Sequence, residues 1–189
     1  MNNTHASDTA NMAGGGHVAP SLPLVLVGLM GVGKSTIGRR LANALDRSFV
    51  DVDEEIERAA DRSVGEIFAE HGEAYFRDGE RRVIARLMNE GHGVIATGGG
   101  AFVDDSTRKL VLEEAVAIWL DCDLDTLVER TGRKDTRPLL KSGDLRAILR
   151  DLKERRGNAY AQAHIHIVTD DGPHDVAVGR ILQELSEWR

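Results

Sequence analysis

Short apolar runs separated by longer amphipathic stretches dominate the pattern of this chain. The runs lie at residues 24–27, 49–50, 94–96, 116–120 and 165–168. Each is short and continuous, which is typical of strands that are buried on both faces of a parallel sheet. Between them, apolar residues recur at helical spacing, as at Ile37, Leu41 and Leu45. Strands that alternate with helices predict an α/β domain with a mostly parallel sheet.

Two segments depart from this alternation. Residues 1–22 are rich in Asn, Ala, Gly, Ser and Thr and lack the features of a signal peptide, so we expect a disordered tail before a single domain at residues 23–189. The segment at about residues 131–144 contains Gly132, Pro138 and Gly143 among basic residues, and it shows no apolar periodicity. Such a segment predicts a mobile lid, although an ordinary solvated loop fits it equally well.

Composition narrows the classes of function. The chain has 189 residues and a formal net charge of -7, which argues against general binding of nucleic acid. No apolar run approaches the roughly 20 residues needed to span a bilayer, so no membrane association is expected. A single cysteine, Cys122, excludes an intrachain disulfide and fits a reducing compartment. We therefore expect a cytoplasmic protein.

A phosphate-binding motif follows the first apolar run. Residues 28–35 read GLMGVGKS, which matches G-x-x-x-x-G-K-[ST] in full, between a strand and a helix. Its glycines allow backbone N–H groups to surround phosphate oxygens, Lys34 supplies a cation and the Ser35 hydroxyl can ligate Mg²⁺. The sequence thus predicts a nucleoside triphosphate site formed by Gly28, Met30, Gly31, Val32, Gly33, Lys34, Ser35 and Thr36.

Two carboxylates follow the second apolar run. Asp51 and Asp53 should face the phosphate site, because ligands bind beyond the carboxyl ends of the strands in open α/β sheets. Alternation along an extended chain would put both on one side. One could hold the shell of a Mg²⁺ ion and the other accept a hydroxyl proton. Asp53 could instead serve as the N-cap of a helix at residues 54–60.

Two further features are compatible with an acceptor site. Gly98, Gly99 and Gly100 follow the third apolar run and would allow a ligand to approach the backbone closely, although they could also form a flexible turn. Arg77 and Glu80 lie three residues apart on a predicted helix, where the carboxylate could aim the guanidinium at a substrate carboxylate. Surface helices often carry such pairs, so this feature alone decides little.

Together these motifs resemble the shikimate kinases. The resemblance extends from about Leu24 to the C-terminus, and the matching elements occur in the same order as in the family. These elements are residues 28–36, residues 51–53, Phe68 followed by residues 71–73, residues 76–77, residues 97–100, residues 137–140, and Arg156 with Tyr160. The resemblance implies a three-layer α/β/α sandwich with a five-stranded parallel sheet, a P-loop NTPase fold of the nucleoside-monophosphate-kinase type with a mobile lid. It also implies that ATP·Mg²⁺ and shikimate are the small-molecule partners, and it favours a monomer.

The resemblance further implies a role for each matched residue. Lys34 and Ser35 would serve the ATP phosphates and Mg²⁺, with Asp51 in the outer shell of the metal. Asp53 would bind shikimate hydroxyls and act as the base at the 3-hydroxyl. The remaining implied roles are those of Arg77 and Arg156 (substrate carboxylate), Glu80 (orienting Arg77), Gly98 to Gly100 (hydroxyls), Phe68 and Phe76 (pocket lining), Arg137 (phosphates, from the lid) and Arg130 (near adenine).

Some positions depart from the family pattern, and other functions compete. Asn158 stands where the family usually has proline, and adjacent Arg155 is a conceivable substitute for Arg156. The adenine-contacting stretch is variable in the family, and residues 169–173 would supply it here. A gluconate kinase shares a polyhydroxy carboxylate acceptor, and a non-catalytic P-loop protein shares the nucleotide site. The retained acceptor arginines and glycines favour shikimate over both.

Overall fold

A computed structural model describes residues 20–132 and 144–188, and its strands coincide with the apolar runs. The strands are β1 (Leu24–Val27), β2 (Phe49–Asp51), β3 (Val94–Ala96), β4 (Val116–Asp121) and β5 (Ile165–Val168). The helices are α1 (Lys34–Ala44), α2 (Val52–Ala60), α3 (Val64–Asn89), α4 (Asp105–Glu114), α5 (Leu124–Gly132), α6 (Leu145–Tyr160) and α7 (His174–Glu187), with a short 3₁₀ helix at Ala101–Val103. The predicted alternation is therefore confirmed.

The strands form one five-stranded sheet in the order β2-β3-β1-β4-β5, with every pairing parallel. Strands β1 and β3 are completely buried, which explains why they read as continuous apolar runs. The connection through α1 runs towards β2, whereas the later connections run in the opposite direction along the sheet. Because such crossovers are right-handed, α1 and the later crossover helices cover opposite faces of the sheet. Helix α7 packs against α1. The predicted sandwich with flanking helices is confirmed.

The topology places the ligand site near β1. From β1 the chain moves towards one edge of the sheet, and from β3 it crosses to the other side of β1. In open α/β sheets, the crevice at such a reversal of direction binds ligands at the carboxyl ends of the strands. Residues 28–36, 51–53 and 97–100 all follow carboxyl ends of neighbouring strands in this sheet.

The helix that carries the predicted acceptor residues begins with a capping box. The Ser63 hydroxyl accepts from the Glu66 N–H, and the Glu66 carboxylate accepts from the Ser63 N–H at 2.8 Å. Helix α3 therefore begins at Val64, directly after its Ser63 cap. Gly72 interrupts the helix with φ of 79°, a left-handed value that glycine adopts readily.

The boundaries of the predicted tail and lid differ in detail from the structure. The Arg47 guanidinium donates to the carbonyls of Pro20 and Leu22, so the last residues of the predicted tail are held against the domain. Residues 1–19 lie outside the described part of the chain. Thr131 and Gly132 belong to α5, and Asp144 caps α6, while residues 133–143 are also outside the described part.

The structure also provides observations on membrane-spanning helices and on Cys122. Among residues 20–132 and 144–188, no helix has the length and apolar character that crossing a membrane requires. Cys122 directly follows β4 and is buried, and this burial raises the pKa of its thiol to about 11. The thiol therefore stays protonated at neutral pH, which is unlike an activated cysteine nucleophile.

Candidate active site

The phosphate-binding motif forms a loop between β1 and α1. Gly28, Gly31 and Gly33 have φ of 133°, 85° and 96°, a region that side chains with a Cβ rarely adopt. The Lys34 ammonium donates to the carbonyls of Gly28 at 2.8 Å and Leu29 at 2.9 Å. The lysine thus spans its own loop and places positive charge over the N-terminus of α1, where helix and backbone N–H groups favour anions.

Ser35 and Asp51 meet at the edge of this loop. The Ser35 hydroxyl donates to the Asp51 carboxylate at 2.6 Å. The other oxygen of Asp51 accepts from the Asp53 N–H at 3.1 Å, so Asp51 is the N-cap of α2. The alternative in which Asp53 capped a helix at residues 54–60 is therefore wrong, because the helix begins one residue before Asp53. The extended alternation proposed for the pair also does not apply, since Asp53 lies in the first helical turn.

A cavity of about 800 Å³ lies over the P-loop and brings most of the predicted nucleotide residues together. The predicted site residues that line it are Met30, Gly31, Gly33, Lys34, Ser35, Thr36, Asp51, Asp53, Gly98, Gly99 and Arg130. The cavity also contacts four residues that sequence reasoning missed, namely Arg40, Thr131, His174 and Asp175. His174 and Asp175 follow β5, so the rule that ligands gather at carboxyl ends of strands was the signal that could have found them.

One end of this cavity lies between α5 and the turn after β5. Arg130 donates to the carbonyls of Val32 and Asp170. Asp171, Gly172 and Pro173, which belong to the predicted adenine stretch, line the same end. Burial lowers the pKa of His174, and the nearby Arg130 and Arg40 cations lower it further, which favours the neutral ring. This end of the cavity offers a guanidinium, a neutral imidazole and backbone groups to a ligand.

The three consecutive glycines after β3 each lie against a different polar side chain. A Cβ on Gly98 would lie 2.8 Å from an Asp53 carboxylate oxygen and 2.9 Å from a Glu80 carboxylate oxygen. A Cβ on Gly100 would lie 2.1 Å from the Arg77 guanidinium, whereas one on Gly99 would lie 3.6 Å from that of Arg156. A side chain at Gly98 or Gly100 would therefore displace charged groups of the site, a reason for glycine that a flexible turn would not supply.

The predicted pair of Arg77 and Glu80 is present, and it is buried. The Arg77 guanidinium donates to Glu80 at 2.6 Å, and the Glu80 side chain is completely buried. One Glu80 carboxylate oxygen has no hydrogen-bond partner. Burial raises the pKa of Glu80 to about 7, against the opposing effect of Arg77 and with smaller contributions from Asp53 and Asp104 in the same direction. The site thus holds an acid that changes charge near neutral pH.

Arg156 reaches the glycine loop from α6. Its guanidinium donates to the Gly99 carbonyl at 2.9 Å, and the Tyr160 hydroxyl donates to the same oxygen. Arg156, Arg77 and Gly100 line a second cavity, of about 580 Å³. Two guanidinium groups at one cavity can bind a carboxylate in the bidentate manner that lysine cannot provide. Adjacent Arg155 instead pairs with Asp151 at the surface, 2.8 Å away, so it does not replace Arg156.

The two predicted aromatic residues pack next to Arg77. The rings of Phe68 and Phe76 have centroids 4.4 Å apart, and the Arg77 guanidinium lies over both rings. Phe76 is buried and lines a third cavity, of about 390 Å³, between α2 and α3. The aromatic pair therefore supports the position of Arg77 and forms an apolar wall beside it.

The lid arginine and the metal site are the two remaining predicted elements. Arg137 lies outside the described residues. No group of three or more His, Cys, Asp or Glu side chains that could hold a metal occurs within residues 20–132 and 144–188. Ser35 and Asp51 nevertheless offer the hard oxygen donors that Mg²⁺ prefers, and Mg²⁺ commonly binds through one or two protein groups plus phosphates and waters. The donor set at the P-loop therefore fits Mg²⁺.

Comparison with known proteins agrees with this geometry. Residues 30–186 match the family model described as SKI, shikimate kinase. The shikimate kinase of Novosphingobium aromaticivorans is 59% identical over 170 residues, which is 88% of this chain and 88% of that relative. The shikimate kinase of Caulobacter vibrioides is 57% identical over 164 residues, covering 87% of this chain and 82% of the relative.

Solved structures give the same result. The shikimate kinase from Acinetobacter baumannii in complex with shikimate is 36% identical, with a TM-score of 0.82 and coverage of 88% of this chain and 93% of that one. A gluconokinase from Sinorhizobium meliloti is 17% identical with a TM-score of 0.60, covering 88% and 93% of the two chains. This second similarity shows a common fold alone.

Proposed function

The chain belongs to the shikimate kinase family, and on this premise we propose that it transfers the γ-phosphoryl group of ATP to the 3-hydroxyl of shikimate. The products are shikimate 3-phosphate and ADP, a step of chorismate and aromatic amino acid biosynthesis. The observation that carries the proposal is the glycine loop at residues 98–100, which lines both the nucleotide cavity and a second cavity that Arg77 and Arg156 also line. Such an arrangement suits an acceptor that has both a carboxylate and a hydroxyl.

The nucleotide binds in the cavity over the P-loop. The backbone N–H groups of residues 28–36 surround the phosphates, and Lys34 neutralises charge on them. Arg130 contacts the adenine end together with the turn at residues 171–173. Ser35 and Asp51 would hold Mg²⁺, which when bound would neutralise charge on the transferred phosphoryl group. Arg137 reaches the phosphates from the lid.

The acceptor binds on the other side of the glycine loop. Arg77 and Arg156 hold its carboxylate, and Glu80 keeps Arg77 in place through their 2.6 Å contact. Asp53 lies where the glycine loop meets the nucleotide cavity, so it can accept the proton of the attacking hydroxyl. The oxygen then forms a bond to the γ-phosphorus, and the bond to the ADP oxygen breaks in line with it.

The proposal also covers the domain organisation, the oligomeric state, the location and the lid. We place residues 23–189 in one domain, which acts as a monomer in the cytoplasm. The segment at residues 131–144 serves as the lid that excludes water, because water would otherwise compete with the hydroxyl as acceptor. Sedimentation of the purified chain would test the monomer directly.

The function is tested by coupled measurement of ADP release. The purified chain is assayed with ATP and Mg²⁺ alone, with shikimate and with gluconate, which presents a carboxylate and hydroxyls on an open chain. We expect release that depends on shikimate, with less than about a tenth of that rate for gluconate. Release that is equal with and without shikimate, while ATP binding is intact, would contradict the proposal.

A further inference from the structure

The Gly99 carbonyl is held by two side chains of one helix. Arg156 and Tyr160 lie four residues apart on α6, so they share a face of the helix, and both donate to this oxygen. Tyr160 is only 2% exposed, and the sequence assigned it no role. The hydroxyl of a buried tyrosine needs a partner, and here that partner is a backbone atom of the acceptor site.

The surroundings of Tyr160 fix the direction of its hydroxyl. Its ring stacks on that of Trp119 in β4, with centroids 6.0 Å apart. Burial raises the pKa of Tyr160 to about 12, so its hydroxyl keeps its proton and remains a donor at any physiological pH. Trp119 in turn stacks on His166 of β5, with centroids 3.9 Å apart. The Tyr160 ring of α6 is therefore packed against a pair of stacked rings that belong to the sheet.

A hydrogen bond to Gly99 also orients the next N–H group. The described part of the chain has no cis peptide bond, so the C=O of Gly99 and the N–H of Gly100 point in opposite directions from one peptide plane. The carbonyl points towards α6, which directs the Gly100 N–H away from α6. The Arg77 guanidinium lies on Gly100, 2.1 Å from the position of a Cβ there. The peptide that Tyr160 holds is therefore followed directly by the glycine against which Arg77 lies, and Arg77, Gly100 and Arg156 line the same cavity.

We infer that Tyr160 is a positioning residue for the acceptor: it shares with Arg156 the hold on the Gly99 carbonyl, so that the glycine loop stays against Arg77 and the Arg156 guanidinium stays at the cavity for the bound acid. It does not touch the acceptor itself. Three glycines in succession are flexible, and without a second donor the Arg156 guanidinium alone would have to hold both the loop and the substrate. The inference rests on the proposed function, because it assigns the bound acid to shikimate.

The first experiment compares Tyr160→Phe with the wild-type chain in the ADP-release assay. This change removes one oxygen and keeps the ring against Trp119. We expect the KM for shikimate to rise about tenfold, as the loss of a hydrogen bond to a buried carbonyl suggests, with the KM for ATP changed less than about twofold. The matched control is Thr126→Val, which removes a buried hydroxyl that bonds to Asp123 at 2.7 Å and that lines neither cavity. It should leave both KM values unchanged.

A double-mutant cycle then separates positioning from general destabilisation. Because Tyr160 and Arg156 act through one carbonyl oxygen, the effects of Tyr160→Phe and Arg156→Lys on the KM for shikimate should be less than additive. Additive effects, or equal rises in the KM for ATP and for shikimate, would overturn the inference. A wild-type chain that does not use shikimate would instead overturn the proposed function, so the two failures are distinguishable.

A second measurement needs no substitution at Tyr160. The chain has two tyrosines, Tyr75 and Tyr160, so incorporation of 3-fluorotyrosine gives two ¹⁹F resonances that Tyr75→Phe assigns. We expect shikimate to shift the Tyr160 resonance, because the bond to Gly99 lies directly behind the acceptor cavity. A Tyr160 resonance that does not move at saturating shikimate would overturn the inference.

Discussion

The nucleotide half and the acceptor half of this site share the edge formed by Asp53 and Gly98, but they are built differently. The nucleotide half comes mainly from one continuous loop, residues 28–36, whose backbone conformation is set by glycines with positive φ. The acceptor half combines side chains from α2, α3 and α6 around the glycine loop. One half therefore depends on backbone shape, and the other depends on side chains that hold one another in place.

The two halves also differ in electrostatic balance. In the nucleotide half, Lys34 and Ser35 both have partners of complementary polarity. In the acceptor half, Glu80 is completely buried, one of its oxygens lacks a partner, and its pKa is raised to about 7. A buried acid of this kind lowers the stability of the fold, but its hydrogen bond holds the Arg77 guanidinium in one position. The acceptor half therefore keeps a destabilising buried acid that positions Arg77. Substitutions in this half should change the KM for shikimate more than the KM for ATP.

The largest effect is expected where the halves meet. Asp53→Asn removes the proposed base and keeps the size of the side chain, so kcat should fall at least about 10²-fold while ATP affinity is unchanged. The matched control is Glu54→Gln, the next residue of α2, which is exposed and pairs with Arg39. Steady-state rates and ATP titration check both variants. Turnover of Asp53→Asn near the wild-type rate would show that the base is misassigned.

A smaller effect is expected from Arg77→Ala in the acceptor half. Loss of a guanidinium that binds a carboxylate should raise the KM for shikimate about 10²-fold and leave the KM for ATP unchanged. Arg82→Ala is the control, since Arg82 lies on the same helix and is largely exposed, with a 2.8 Å contact to Asp78. An equal loss of ATP affinity in Arg77→Ala would remove the distinction between the halves.

Gly100→Ala should weaken binding of the acceptor without unfolding the chain. Gly100 has φ of -103°, so alanine fits the backbone, but the new methyl group would displace the Arg77 guanidinium, which lies 2.1 Å away. Because a guanidinium can move, we expect a rise of about tenfold in the KM for shikimate and little change in melting temperature. Gly79→Ala in α3 meets no atom within 4 Å and should instead stabilise the chain by about 0.5–1 kcal/mol. A large drop in the melting temperature of Gly100→Ala would contradict this account.

The smallest effect is on stability and depends on pH. The folded-state pKa of Glu80, about 7, is above the ordinary value of 4.5, so the folded state binds the Glu80 proton more tightly than the unfolded state does. The stabilisation that results is present below pH 4.5 and is lost as the pH rises through 7. Glu80→Gln should therefore be close to wild type at pH 5 and more stable by on the order of 2 kcal/mol at pH 8.

Urea unfolding at the two pH values measures this difference. The matched control is Glu73→Gln, which makes the same change of a carboxylate to an amide at an exposed neighbour of Arg77, 3.4 Å away. A difference between Glu80→Gln and wild type that is the same at pH 5 and pH 8 would exclude the raised pKa.

The fold could be predicted from sequence because its strands are buried on both faces. Strand β1 and strand β3 contain only apolar residues, and glycines bound them, so pattern alone located them within a residue. Asp53 was less accessible to this reasoning, because the chain turns from strand to helix within residues 51–52 and extended alternation ends there. The cap could not be assigned, since either carboxylate fits the pattern of an N-cap.

The acceptor half could be predicted only in part. Resemblance placed Arg77, Glu80 and Arg156, but the short-range pattern of charges could not tell a buried ion pair from a surface one. The common partner of Arg156 and Tyr160 is a backbone oxygen 57 and 61 residues away in sequence, which no local signal reveals. His174 follows β5, so the rule that ligands bind at the carboxyl ends of strands pointed to this region, but its closeness to Gly33 of the P-loop depends on the packing of β5 beside β4.

The most direct test of the account is the identity of the phosphorylated product. The purified chain is incubated with ATP, Mg²⁺ and shikimate, and the product is analysed by mass spectrometry and by ³¹P–¹H correlation, which locates the phosphate on the ring. The account predicts a single monophosphate at the 3-hydroxyl, formed together with one equivalent of ADP. A phosphate on another hydroxyl, or ADP released without any phosphorylated acceptor, would contradict the placement of the acceptor between Asp53 and the two guanidinium groups.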